Sequence, residues 1–245
     1  MTLFVHQLRA EQLIFWRSRE AAIFVFLFPP LLFVLLASVF GEGSDDASEL
    51  VAGLIGYAVA NTALGGLAIT LVIRRESGIL KRLRSTPVPA VLYLAVVLLS
   101  NLIVLALQSI TVVALGVGLF DADLPDEPLS FVGALALGGV AFAGLGLAAA
   151  ALIQSQEAVA AVVNIIVLPM SFLSGSFGTA DELPRVLEVV ANVLPLRYLI
   201  DLVLGAYVDG ETVLDNPGAV LVLVAWGVAG YAVALKRFAW EPRER

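Results

Sequence analysis

The sequence predicts an all-α polytopic membrane protein with six transmembrane helices, and three observations carry that expectation. Of 245 residues, 60% are hydrophobic and 14% charged, with a mean hydropathy of +0.98. A soluble domain averages about 45–50% apolar and about 25% charged, so a chain this apolar cannot keep its surface from water by folding alone. The apolar residues gather in runs of about 20, the length that crosses a hydrocarbon core of ~30 Å. The period-2 alternation in ~10-residue segments that a transmembrane β-barrel requires is absent.

Taken in order, residues 1–20 form an interfacial connecting helix and residues 21–245 a single six-helix transmembrane domain. In the first stretch Phe4, Val5, Leu8, Gln12, Phe15 and Trp16 recur at helical spacing, while His6, Arg9 and Arg17 fall elsewhere and Leu13 and Ile14 lie off the stripe. That imperfect amphipathicity suits a helix lying in the membrane interface. Charges spread through the stretch, and no small-residue cleavage site follows, so it is not read as a signal peptide. The spans fall near 21–40, 51–73, 93–119, 129–153, 158–173 (or on to Phe177) and 218–235. Pro29-Pro30 frees backbone carbonyls and bends the first span. In the fourth, Gly139 and Ala143, Gly144 and Ala148, and Gly146 and Ala150 stand four apart, which permits close helix contact, expected within one subunit in preference to a dimer seam. Between spans five and six, about 178–205, Arg185, Glu188, Arg197, Asp201, Pro184 and Pro195 make a full crossing costly, so short re-entrant outer helices are expected.

Charge orients the spans. The segments on the N-terminal side of the membrane hold 12 of the 14 basic residues, while the other side holds Arg185 and Arg197 together with 15 of the 21 acids. By the positive-inside rule both termini are cytoplasmic. The preference for arginine over lysine, with much alanine, leucine and valine, hints at a GC-rich bacterial genome.

Composition also excludes chemistry. With no cysteine there is no disulfide, thiol nucleophile or thiolate metal site. His6 is the single histidine and stands outside the spans, so neither a histidine metal cluster nor a Ser–His pair can form. Neither lysine follows a glycine, so the chain has no phosphate-cradling loop for ATP. The net charge of −7 runs against an anionic partner, and no nucleic acid is expected, although in a membrane protein the distribution of charge matters more than its sum. The middles of the spans lack ionisable residues, which argues against a proton relay. Ser174-Gly175-Ser176-Phe177-Gly178 has no base within reach and reads as a turn rather than a nucleophile site. No catalytic or metal residue is expected. The polar groups within the spans are neutral, and Asn61, Asn101, Gln108 and Asn164 are candidates to line a pathway, because an amide in lipid needs a partner or a cavity. Hydrogen bonding between helices of one subunit is the alternative.

The informative loop is 74–87, Arg-Arg-Glu-Ser-Gly-Ile-Leu-Lys-Arg-Leu-Arg-Ser-Thr-Pro. Ile79, Leu80 and Leu83 share one helical face and Pro87 closes a short helix, a form suited to docking. The loop resembles the R-E-x-x-G-x-[LI]-[KR]-R-[LM]-[RK]-x-[ST]-P segment of ABC-2-type permeases, membrane subunits of ATP-binding-cassette exporters of the daunorubicin-resistance kind. Pro30 with Phe40-Gly41, and Leu194-Pro195-Leu196-Arg197-Tyr198 with leucine where the family usually has asparagine, agree with it.

The resemblance implies a coupling helix at about 75–85, with Arg75, Glu76, Gly78, Leu80, Lys81, Arg82 and Leu83 meeting a cytoplasmic ATPase subunit, and a second contact from Gln154 to Glu157. Glu76 is expected to be its critical polar residue, either in the first turn of the coupling helix or paired with a basic group on the ATPase or on the N-terminal helix. A second permease subunit, identical or different, would complete the pathway in the lipid bilayer. ATP and magnesium would sit on the partner ATPase, with no cofactor on this chain. The implied function is outward movement of a hydrophobic or amphipathic substrate across the cell membrane. A non-transporting membrane scaffold and a secondary transporter remain as alternatives at this point.

Overall fold

The computed structural model describes residues 2–40, 43–85, 88–178 and 184–238; among them every regular element is helical. Helix α1 (Thr2–Arg17) leads through α2 (Arg19–Ala22) and a π-helical turn (Ile23–Leu27) into α3 (Phe28–Phe40). The run from Arg19 to Phe40 is unbroken, about 30 Å at ~1.5 Å per residue. A π turn here follows from the sequence: Pro29 and Pro30 have no N–H to return to the turn before them, so carbonyls are freed and the backbone loosens.

The next helix is the longest apolar one, Ser44–Glu76, made of α4 (Ser44–Val59), a second π turn (Ala60–Gly66) and α5 (Leu67–Glu76). It forms the core: almost every residue of α4 from Ala47 onward is buried. After the short α6 (Ile79–Arg84) come α7 (Ala90–Leu119), α8 (Pro128–Leu152) and α9 (Gln156–Leu173). Two short helices, α10 (Arg185–Ala191) and α11 (Pro195–Tyr207), meet at 81° before α12 (Pro217–Arg237). Among the described residues five helices are long and apolar enough to cross a membrane, or six if the bent pair is counted as one span; Val25–Phe40 is a shorter apolar helix. This is a multi-pass all-helical membrane protein.

Helix ends sit where sequence chemistry puts them. Pro128, Pro195 and Pro217 occupy first-turn positions, where the missing N–H costs nothing. Ser155 caps α9, its hydroxyl accepting from the N–H of Glu157 at 3.2 Å and of Ala158 at 3.4 Å. Helix α9 stops at Leu173, and Ser174–Gly178 is a turn, so the fifth helix does not run on to Phe177.

The small residues of α8 do pack within the subunit. A Cβ on Gly230 of α12 would stand 2.5 Å from the carbonyl carbon of Gly144, so only glycine allows these backbones to meet. At Gly139 the close neighbour is instead a side chain, the Leu102 methyl of α7, which packs into the space that the missing Cβ leaves. On either side of that crossing α7 and α8 diverge and leave two apolar clefts. One, of about 600 Å³, is lined by Leu105, Ile110, Val113, Phe131 and Leu135 among others; the other, of about 460 Å³, by Leu94, Leu98, Leu147 and Tyr231 with Leu235 of α12.

Candidate functional site

One end of the bundle carries α1, the close of α5, α6, the α8–α9 turn and the close of α12. Its described basic residues include Arg9, Arg17, Arg74, Arg75, Lys81, Arg82, Lys236 and Arg237. The loop singled out from sequence divides between two helices. Arg75 and Glu76 complete α5, and α6 begins at Ile79, so Glu76 lies at a helix C-terminus and not in the first turn of the coupling helix. The dipole there disfavours a carboxylate; the Nε of Arg75, 3.6 Å from Glu76 Oε1, offsets it.

Gly78 makes the corner. Its φ of +70° is the left-handed conformation that glycine adopts without penalty, and a Cβ there would meet nothing within 4 Å. Its requirement is therefore conformational: no neighbour among the described residues crowds the position. Helix α6 then turns one side inward and one outward. Leu80 is fully buried and Leu83 packs against the same core, while Ile79, Lys81 and Arg82 are exposed. The expected shared apolar face thus splits, with the two leucines fixing the helix to its own bundle and Ile79 left outside with the cations.

Gln154 and Glu157 are exposed on the neighbouring turn, and Arg75 joins the two segments. This arginine is only 3% exposed. It donates from Nη1 to the carbonyl of Ala150 at 2.8 Å and from Nη2 to that of Ile153 at 2.6 Å. Those carbonyls belong to the end of α8, where no further helical N–H is available, and the negative end of the helix dipole favours a cation there.

Arg74 turns to another neighbour. It forms a bidentate pair with Glu11 of α1, Nη1 to Oε1 at 2.9 Å and Nη2 to Oε2 at 2.7 Å, and donates to the Tyr93 hydroxyl at 2.6 Å. Gln12 adds donations to the carbonyl and hydroxyl of Ser100, both at 3.0 Å. Helix α1 therefore lies along α7 with Phe4, Leu8, Glu11, Gln12 and Phe15 toward the bundle, and Val5 and Trp16 outward. Sequence reasoning missed Glu11 and Tyr93 as partners. The available signal was that Glu11 falls four after Gln7 and one before Gln12, on the stripe otherwise read as apolar.

The four neutral amides do not share one surface. Gln108 is fully buried, its carbonyl accepting from Thr62 Oγ1 at 2.9 Å and its amide donating to the Val25 carbonyl. Val25 stands four residues before Pro29, so this is the carbonyl that the proline leaves unserved. Gln108 therefore ties three helices together inside the subunit. Asn101 is partly buried and donates to its own helix at the Val97 carbonyl, 2.9 Å away. Asn61 is partly buried in the second π turn, and Asn164 is exposed on α9. Asn101 also borders a cavity of about 300 Å³ beneath α1, together with Thr70, Ser100 and the Glu11–Arg74 pair.

Comparison with known proteins matches this chain, over residues 2–208, to the family described as ABC-2 type transporter. Nodulation protein J of Rhizobium leguminosarum bv. trifolii is 39% identical over 69 residues, 28% of this chain and 26% of that protein. The Sinorhizobium fredii nodulation protein J is 32% identical over 108 residues, 44% of this chain and 36% of its own length. The inner membrane transport permease YhhJ of Escherichia coli K12 is 22% identical over 169 residues, 69% of this chain and 45% of that protein. The aligned part thus spans from about a quarter to less than half of these relatives.

Proposed function

This chain belongs to the ABC-2 type transporter family, and we propose that it is the permease subunit of an ATP-binding-cassette exporter driven by a separate cytoplasmic ATPase subunit. The observation that carries the proposal is the basic end of the bundle. There α6 and the α8–α9 turn, two segments far apart in sequence, present Ile79, Lys81, Arg82, Gln154 and Glu157 outward while buried groups hold both in place. An exposed, braced surface of mixed charge suits a partner that must push on the membrane helices. By the positive-inside rule that end faces the cytoplasm, where ATP is, and ATP with magnesium would be held by the partner.

Two such subunits, identical or different, would enclose the pathway. ATP-driven closure of the ATPases would then favour one of two bundle arrangements by differential binding. The apolar clefts beside α7 and α8 and the neutral amides favour hydrophobic or amphipathic cargo over ions. Asn61 and Asn164, whose amides make no hydrogen bond among the described residues, are the better pathway candidates; Gln108 is committed to the fold.

The test is affinity purification of the tagged chain from its native membrane, followed by ATP hydrolysis in proteoliposomes. A co-purifying ATPase whose rate rises with amphipathic compounds is expected. Co-purification without any such stimulation would favour a scaffold. Orientation is checked by single cysteines at Ser44, Asp126 and Ser85: an impermeant thiol reagent on intact cells should label the first two and spare the third.

A further inference from the structure

Two adjacent arginines stand in the last turn of α5, and among the described residues only Arg74 has a carboxylate within hydrogen-bond distance, since Glu76 lies 3.6 Å from the Nε of Arg75. Arg74 meets Glu11. Arg75, 3% exposed, is aimed at backbone carbonyls of another helix. Topology alone does not account for this. The positive-inside rule asks for cations at this end of the bundle, and a cation serving only that purpose extends its head into water. Burial is costly unless the hydrogen bonds made are worth more than hydration.

The placement shows what those bonds hold. The carbonyl of Ala150 lies in the last turn of α8 and that of Ile153 one residue past its end, directly before Gln154 and the α9 cap at Ser155. The backbone of Arg75 meanwhile anchors the other loop: its own carbonyl accepts from the N–H of Gly78 at 3.0 Å, the corner from which α6 departs. One residue is thus bonded by its main chain to the start of the 77–85 segment and by its side chain to the start of the 153–157 turn. Successive helical residues point about 100° apart, which is why Arg74 can serve α1 while Arg75 serves α8. The planar guanidinium reaches two carbonyls at once, which a lysine ammonium on a single stem does poorly.

We propose that Arg75 is a positioning residue that fuses the 77–85 segment and the 153–157 turn into one rigid contact surface, so that force from the ATPase reaches α5 and α8 together. The proposal rests on the functional reading above, but the lock itself is a property of this chain alone.

The cysteine-free chain permits a direct test, with spin labels at Ser85→Cys and Glu157→Cys in lipid nanodiscs and the distance distribution read by pulsed electron resonance. The parent should give one narrow distribution. Arg75→Gln should give a broad one, and Arg75→Lys an intermediate width, which also carries the test if the glutamine variant does not fold. Glu11→Gln, which weakens the neighbouring pair, should leave this distribution narrow. In proteoliposomes with the ATPase, unlabelled Arg75→Gln should lose about tenfold of the permease-dependent increment in ATP hydrolysis, while the ATPase still binds. A narrow distribution in Arg75→Gln overturns the lock. A broad one with the full increment overturns its role in coupling. A parent chain that binds no ATPase sinks the functional reading and the coupling role with it, whatever the distances show.

Discussion

The two ends of this bundle are laced by different chemistry. At the basic end the ties are charged side chains: the Glu11–Arg74 pair and the Arg75 fork onto α8, all largely buried. At the opposite end many acids, among them Asp45, Asp46, Asp121, Asp123 and Asp126, are exposed, and neutral groups make the ties. There Tyr207 donates to the Asp123 carbonyl at 2.7 Å, the Asp123 N–H donates to the Ser48 hydroxyl at 3.1 Å, and the Glu127 N–H reaches the Ala206 carbonyl at 3.0 Å. The acids there act through charge distribution and solvation, whereas the cations at the other end also act as structural parts. A charge count treats both ends as loops of opposite sign; burial separates them.

The contrast breaks most easily at Glu11. Glu11→Leu strands a guanidinium that is 13% exposed, and losing one partner of a buried pair costs about 3–5 kcal/mol. Equilibrium unfolding in detergent should show that loss. The double variant Glu11→Leu with Arg74→Met should recover most of it, because replacing both partners removes the stranded charge. In the middle of the membrane, Gln108→Leu unpairs Thr62 and the Val25 carbonyl together. We expect a loss of about 1–3 kcal/mol in the same assay; an unchanged midpoint would mean that the π turn serves its own carbonyl.

The neutral end should respond more gently. Tyr207→Phe removes one hydrogen bond and keeps the packing, so about 1 kcal/mol is expected, read as a small shift of the denaturant midpoint. The smallest effect belongs to Asp215, in the α11–α12 connection. The hydroxyl and N–H of Thr212, both at 2.7 Å, hold its carboxyl below the ordinary range. A lowered folded value means that its stabilisation is present above the unfolded pKa and lost as pH falls through the folded one. Because the group is fully exposed, an acid titration of stability for Asp215→Asn should nearly overlay that of the parent.

Much of this was readable from residues. The apolar runs gave the spans because a bilayer imposes a length, and the proline pair marked the irregular first helix because a missing N–H is a fact of composition. The small residues of α8 predicted close packing for the same kind of local reason. The loop at 74–87 was found but misapportioned: Leu80 and Leu83 hold α6 to the bundle, Glu76 ends a helix, and Arg75 is buried. Helical spacing tells which residues share a face, not whether that face meets protein or solvent. Pro87, Gly41 and residues 239–245, with the charged Glu241, Arg243, Glu244 and Arg245, lie outside the described residues.

The sequence by itself determined that this chain is helical, that it enters a membrane several times, and which of its ends is basic, since each follows from local composition acting against a bilayer. Only the tertiary structure decided which charges are structural. Glu11 finds Arg74 across 63 residues and Arg75 finds Ala150 across 75, partners chosen by how helices pack and not by any spacing along the chain. The same holds for Gln108, whose value depends on a carbonyl 83 residues away that a proline released. Desolvation is the reason: a buried polar group must be matched by whatever the fold brings beside it, and that neighbour is fixed only when the helices have packed.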